Sequence, residues 1–113
     1  MATEHFQQGQ VIFREGDKSQ EAYFILSGQV EITLNTSHGV QSLAKLGAGE
    51  IFGEMAVLND APRSATATAK TDCVVVSLDA QQFQTAIQKM PEFGYISPTA
   101  RSQMKRSSKY KRF

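Results

Sequence analysis

Turn residues recur along this chain too closely for a mainly helical fold. Gly16-Asp17, Ser27-Gly28, the polar run from Asn35 to Gly39 and Gly47-Ala48-Gly49 punctuate it at intervals of about 8–12 residues, the spacing of short strands joined by turns. The segments between them fit that reading. Val11-Ile12-Phe13 is a short strand, and Tyr23 to Leu26 is rich in β-formers. Val30, Ile32 and Leu34 alternate with Glu31, Thr33 and Asn35, the period-2 signature of a strand with one wet face. Val40 to Leu46 returns as its partner, and Ala65 to Ala69 alternates small residues with Thr66 and Thr68. Cys73 to Leu78 is a nearly continuous apolar strand. The expectation is a mainly β fold, an antiparallel barrel or jelly roll. One convincing helix follows. Asp79 suits its N-cap and Gln82 the capping-box position, Phe83, Ile87 and Met90 share a face, and Pro91 stops it. Ahead of Gly9 nothing is assigned.

A chain of 113 residues has room for one domain and one core. No apolar run exceeds the five residues from Ala22 to Leu26, so no membrane span is expected. The N-terminus carries Glu4 and no apolar stretch, which argues against a secretory signal. The lone Cys73 lies beside Val74-Val75-Val76 and reads as a buried reduced thiol. Together these point to the cytoplasm. The net charge of +1 conceals an asymmetry: residues 1–100 hold six basic residues against all eleven acids, and residues 101–113 hold six basic residues and no acid. A boundary is therefore expected after Pro98, with a domain over 1–98 and a flexible basic tail over 99–113.

Chemistry concentrates in Phe52-Gly53-Glu54-Met55-Ala56-Val57-Leu58 and Pro62-Arg63-Ser64-Ala65-Thr66. Arg63 can fork two N–H bonds onto a phosphate. An ionised Glu54 only accepts, so it suits a sugar hydroxyl and not a phosphate. Gly53 lets the backbone come close to a ligand. A short helical turn over Met55 to Leu58 would add its N-terminal amides to the anion site. This segment resembles the phosphate-binding cassette of the cyclic nucleotide-binding domain family: Phe-Gly-Glu, a hydrophobic turn, a short spacer, then Pro-Arg-Ser-Ala. Gly9 to Asp17 looks like that family's first strand and turn, and Tyr23 to Ile32 like its second hairpin. The likeness covers roughly residues 9 to 90.

The resemblance implies a β-roll flanked by helices that binds cAMP or cGMP, cAMP favoured, as a sensor module without catalysis or cofactor. It implies ligand contacts at Phe52, Gly53, Glu54, Met55, Ala56, Arg63, Ser64 and Ala65. Among these, Arg63 takes the phosphate, Glu54 the ribose hydroxyl, and Met55 and Ala56 give amides. Ser64 reaches the phosphate or the edge of a syn guanine. An effector protein or an output domain of a longer chain is the implied partner. The chain departs from the family at its ends. Gly94 and Pro98 disfavour the C-terminal lid helix, and the start is short, so a fragment and a minimal module both remain open. Two other classes stay in view. The tail could act on nucleic acid, with Tyr110 and Phe113 among its charges, and Lys105-Arg106-Ser107-Ser108 looks like a weak phosphorylation site. A cupin-like enzyme would need a metal cluster, and His5 and His38 stand apart. The glycines of Gly47 to Gly53 do not match a dinucleotide fingerprint, the third falling one residue late without a βαβ frame. Asn35-Thr36-Ser37 has the form of a glycosylation sequon but reads as a hairpin turn.

Overall fold

The structure, a computed structural model, describes residues 2–89. Its elements are β1 (Ala2–Phe6), β2 (Val11–Phe13), β3 (Ala22–Ser27), β4 (Val30–Thr36), β5 (Gly39–Leu46), β6 (Ile51–Phe52), α1 (Glu54–Asn59), β7 (Thr66–Ala69), β8 (Cys73–Leu78) and α2 (Ala80–Lys89). Two four-stranded sheets form, ordered β1-β8-β3-β6 and β2-β7-β4-β5, and every pairing is antiparallel. This is the expected β-roll.

The patterns in the strands follow from what covers each sheet. In β8, Cys73 and Val75 face the core between the sheets, whereas Val76 and Leu78 join a second cluster with Ala22, Phe83, Val57 and Leu58 from β3 and the two helices. That strand is buried on both faces, so it reads as an unbroken apolar run. In β4, Val30 and Ile32 are fully buried while Glu31 and Thr33 are only half-buried, which is why the alternation is clean there. Phe13, Tyr23 and Phe52 stack in one aromatic group, with centroids 5.2–5.9 Å apart. Each such ring contributes about 1.5–3 kcal/mol through burial. Ala65, Ala67 and Ala69 are fully buried in the same core.

The capping box of α2 is present in both directions. Asp79 N donates to Gln82 Oε1 at 3.0 Å, and Gln82 N donates to Asp79 Oδ1 at 2.8 Å. Phe83 is buried beneath the helix. The side chain of Ile87 and the residues Met90 and Pro91 lie outside the described residues, as do the boundary at residue 98 and the basic tail. The β4–β5 turn is closed by Thr36, whose hydroxyl donates to Gly39 O at 2.7 Å and accepts from His38 N at 3.1 Å. Two strands were not expected from sequence. β1 pairs along β8 from Ala2↔Ser77 to Phe6↔Cys73, and the two-residue β6 pairs with β3. Ala2–Phe6 carries no dense β-pattern of its own and is held as a strand by its partner.

Candidate functional site

Strand β6 delivers the chain to Gly53, whose φ of 76° turns it sharply into α1. Glu54 opens that helix, where its charge complements the helix dipole. The helix ends at Asp60, also left-handed at φ 51°. Pro62 and Arg63 then lead into β7. The Arg63 backbone is clasped by the loop between β2 and β3: its N–H donates to Asp17 O at 2.9 Å, and its carbonyl accepts from Gly16 N at 2.7 Å. That loop is itself folded by Asp17, whose Oδ2 accepts from Arg14 N at 3.0 Å.

The Arg63 side chain runs inward and is only 3% exposed. Its Nε donates to Ser19 Oγ at 2.9 Å, Nη1 to Gly53 O at 2.8 Å and Nη2 to Glu21 O at 2.6 Å. These bonds use three of a guanidinium's five donors. The guanidinium carbon sits 4.0 Å above the Phe13 ring and 5.7 Å from that of Tyr23, a cation–π contact within the aromatic group. Gly53 makes this approach possible. A Cβ at residue 53 would stand 2.7 Å from Arg63 Nη1 and 3.2 Å from Phe13 Cε2.

Burial lowers the pKa of Arg63 from its ordinary value, and Tyr23, Glu21, Asp17 and Glu54 oppose the shift. Tyr23 counts there only when ionised, so near neutral pH the carboxylates carry that opposition and the guanidinium stays charged. Tyr23 is pushed up to about 12, by burial first and by Glu21 next, with Arg63 pulling the other way. Its phenol therefore keeps its proton.

The model of the cyclic nucleotide-binding domain matches residues 3–90, most of the chain. This chain is a member of the cyclic nucleotide-binding domain family. The Cyclic AMP receptor protein of Thermus thermophilus is 37% identical over 87 residues, which cover 76% of this chain and 40% of that protein. A cAMP-dependent protein kinase regulatory subunit from Colletotrichum orbiculare is 38% identical over 84 residues, 74% of this chain and 21% of that one. The cAMP-bound EAL enzyme Bd1971 superposes with a TM-score of 0.75 at 31% identity, over 92% of this chain and 27% of that one. The chain thus spans less than half the length of these relatives.

In this cyclic nucleotide-binding domain the residues named from sequence divide by where their side chains go. Gly53, Glu54 and Arg63 converge at the start of α1, and Glu54 is 6% exposed. Ser64 is exposed at the surface beside them, and Met55 is half-buried. Phe52, Ala56 and Ala65 turn their side chains into the interior. Phe52 and Ala65 belong to the main core, which leaves only their backbones to meet a ligand. Three of the Arg63 donors are already engaged by Ser19 Oγ and the Gly53 and Glu21 carbonyls, because a buried guanidinium must satisfy its donors. The sequence reading missed Ser19 and Glu21, which complete the Arg63 setting from 44 and 42 residues away. Glu21 bonds Arg63 through its carbonyl, which no side chain signals, and its carboxylate adds a charge nearby. Among the described residues no three of His, Cys, Asp and Glu gather as a metal site requires, and no helix is long and apolar enough to cross a membrane.

Proposed function

We propose that the domain binds a 3′,5′-cyclic purine nucleotide, cAMP in preference to cGMP, and acts as a sensor without catalysis of its own. The observation that carries this reading is the setting of Arg63. Its three hydrogen bonds go to two carbonyls and a hydroxyl, which orient a buried cation whose charged form the Glu21, Asp17 and Glu54 carboxylates also favour. A buried charge is costly unless an opposite charge meets it, and one cyclic phosphate supplies a single negative charge. The donors left over by the three bonds, with the amides of Met55 and Ala56, receive the phosphate. Glu54 accepts from the ribose 2′-hydroxyl, and Ser64 lies at hand for the phosphate. Backbone contacts of Phe52 and Ala65 close the set.

The preference for cAMP is supported by the names of two of the relatives above, a cAMP receptor protein and a cAMP-dependent regulatory subunit, whereas the EAL enzyme occurs in both cAMP-bound and cGMP-bound forms. Serine at 64 is compatible with either base, whereas threonine there would lean toward cGMP. The binding unit is residues 1–98, followed by a basic tail over 99–113. The output is an effector protein or a further domain, the setting is cytoplasmic, and no cofactor takes part. Calorimetric titration with cAMP and cGMP side by side tests this. One site per chain is expected, tighter for cAMP, with a stabilisation of about 2.7 kcal/mol at ligand 100 times Kd. No change in Tm at millimolar concentrations of either nucleotide overturns it.

A further inference from the structure

Three oxygens fix the Arg63 guanidinium, and they differ in kind. Gly53 and Glu21 offer backbone carbonyls, which any side chain at those positions would offer. Of these three oxygens only that of Ser19 is a side-chain atom, its hydroxyl accepting from Nε at 2.9 Å, beside the Tyr23 phenol that also lies within reach of the guanidinium. Ser19 is half-buried in the β2–β3 loop, and the loop is tied to the cassette on both sides of it. Gly16 and Asp17 hold the Arg63 backbone, and Gln20 Nε2 donates to the carboxylate of Asp60, the residue that ends α1. Ser19 and Gln20 face Asp60, Ala61 and Pro62 across a polar cleft of about 520 Å³. The hydroxyl is therefore delivered by a loop that is anchored to the same segment as the arginine it contacts.

A guanidinium is planar, and bonds at Nε, Nη1 and Nη2 together leave its plane no rotation. The two exocyclic oxygens of a cyclic phosphate are chemically distinct in a chiral site. A guanidinium held in one plane addresses one of them. If Nε is released, the plane can tilt about the two carbonyl bonds and follow either.

We propose that Ser19 is a positioning residue for the phosphate site, its hydroxyl setting the plane of Arg63 and thereby the choice between the two exocyclic oxygens. This rests on the cyclic nucleotide reading above. It adds that a loop outside the cassette tunes the stereochemistry of phosphate recognition.

The test uses the full chain and three probes: cAMP and the Rp and Sp diastereomers of its phosphorothioate, in which sulfur replaces one exocyclic oxygen or the other. Sulfur is the poorer acceptor, so wild type should prefer one diastereomer. Ser19→Ala should weaken cAMP about tenfold, in line with one hydrogen bond to a charged group, and should shrink the ratio between diastereomers at least about threefold. Ser19→Thr keeps the hydroxyl and should restore both quantities most of the way. Ser19→Gly should behave as Ser19→Ala, and thermal unfolding checks that each variant is folded. Equal loss for all three ligands with an unchanged diastereomer ratio means a merely structural serine, and overturns the proposal. So does a threonine variant no better than alanine. Absence of cAMP binding by wild type is a different failure: it removes the cyclic nucleotide reading, and this proposal with it.

Discussion

Replacing Gly53 by alanine separates backbone strain from the crowding of Arg63. Two costs arise at this residue. The first is conformational, because φ is 76°, where an L side chain costs about 1–2 kcal/mol. The second is steric. The new Cβ would lie 2.7 Å from Arg63 Nη1 and 3.2 Å from Phe13 Cε2, so the guanidinium must shift from its bond to Gly53 O. Disturbing one hydrogen bond to a charged group costs about 1.5–3 kcal/mol. The total is about 2.5–5 kcal/mol. Gly9 and Gly49 are matched controls, with φ of 88° and 89° and open space where a Cβ would go; alanine there should cost only the strain. Gly28→Ala is the opposite control, since its Cβ would overlap the Asp72 carbonyl oxygen and the Cys73 backbone, with Arg63 not among its nearest contacts. Urea unfolding should rank the losses Gly28 and Gly53 above Gly9 and Gly49. Each 1 kcal/mol appears as about 4–8 °C in Tm for a domain near this size. Calorimetry with cAMP should then set Gly53 apart, with affinity reduced about tenfold or more in that variant alone. If Gly53→Ala is no less stable than Gly9→Ala and binds as wild type, Arg63 does not press against residue 53 and the site is wrongly built.

Three further outcomes are expected. Arg63→Ala should lower cAMP affinity on the order of 100-fold, with Arg63→Lys recovering little because an ammonium cannot hold three acceptors in one plane; Lys45→Ala should bind like wild type in the same titration. If Glu54 accepts from the ribose, 2′-deoxy-cAMP should bind more weakly to wild type but lose little further against Glu54→Gln, a cycle in which additive losses would show that the two never meet. Tyr23, raised to about 12, binds its proton more tightly folded than unfolded, so its share of stability is present below pH 10 and is lost as pH rises from about 10 to about 12; Tyr23→Phe should flatten that part of the alkaline denaturation profile.

What was legible in the sequence was whatever a short window encodes. The alternation of Val30 and Ile32 with Glu31 and Thr33, the run from Cys73 to Leu78 and the Asp79–Gln82 capping box each sit within a few residues of their cause, and all three elements formed where they were read. The glycine, carboxylate and arginine of the cassette were legible for the same reason. β1 was not, because Ala2–Phe6 becomes a strand only through β8, some seventy residues later in the chain. β6 was too short to show a period. The buried packing of Arg63 was hidden more deeply, since two of its three acceptors are backbone carbonyls and carbonyls look the same under every side chain.

That last point bears on how such a site can vary. The cassette supplies the charged donors, but the direction in which Arg63 points is set by Ser19 and Glu21 in a loop more than forty residues earlier. The two regions are joined at several points, through Gly16 and Asp17 to the Arg63 backbone and through Gln20 to Asp60. A change in the length or tilt of that loop would move the guanidinium relative to Gly53 and Glu54 without altering a cassette residue. If Arg63 takes the phosphate as proposed, affinity and phosphate stereochemistry can change while the Phe-Gly-Glu and Pro-Arg-Ser-Ala segments stay the same. On the function proposed above, a phosphate that draws Arg63 toward itself would pull on Ser19 and Glu21 through these same bonds.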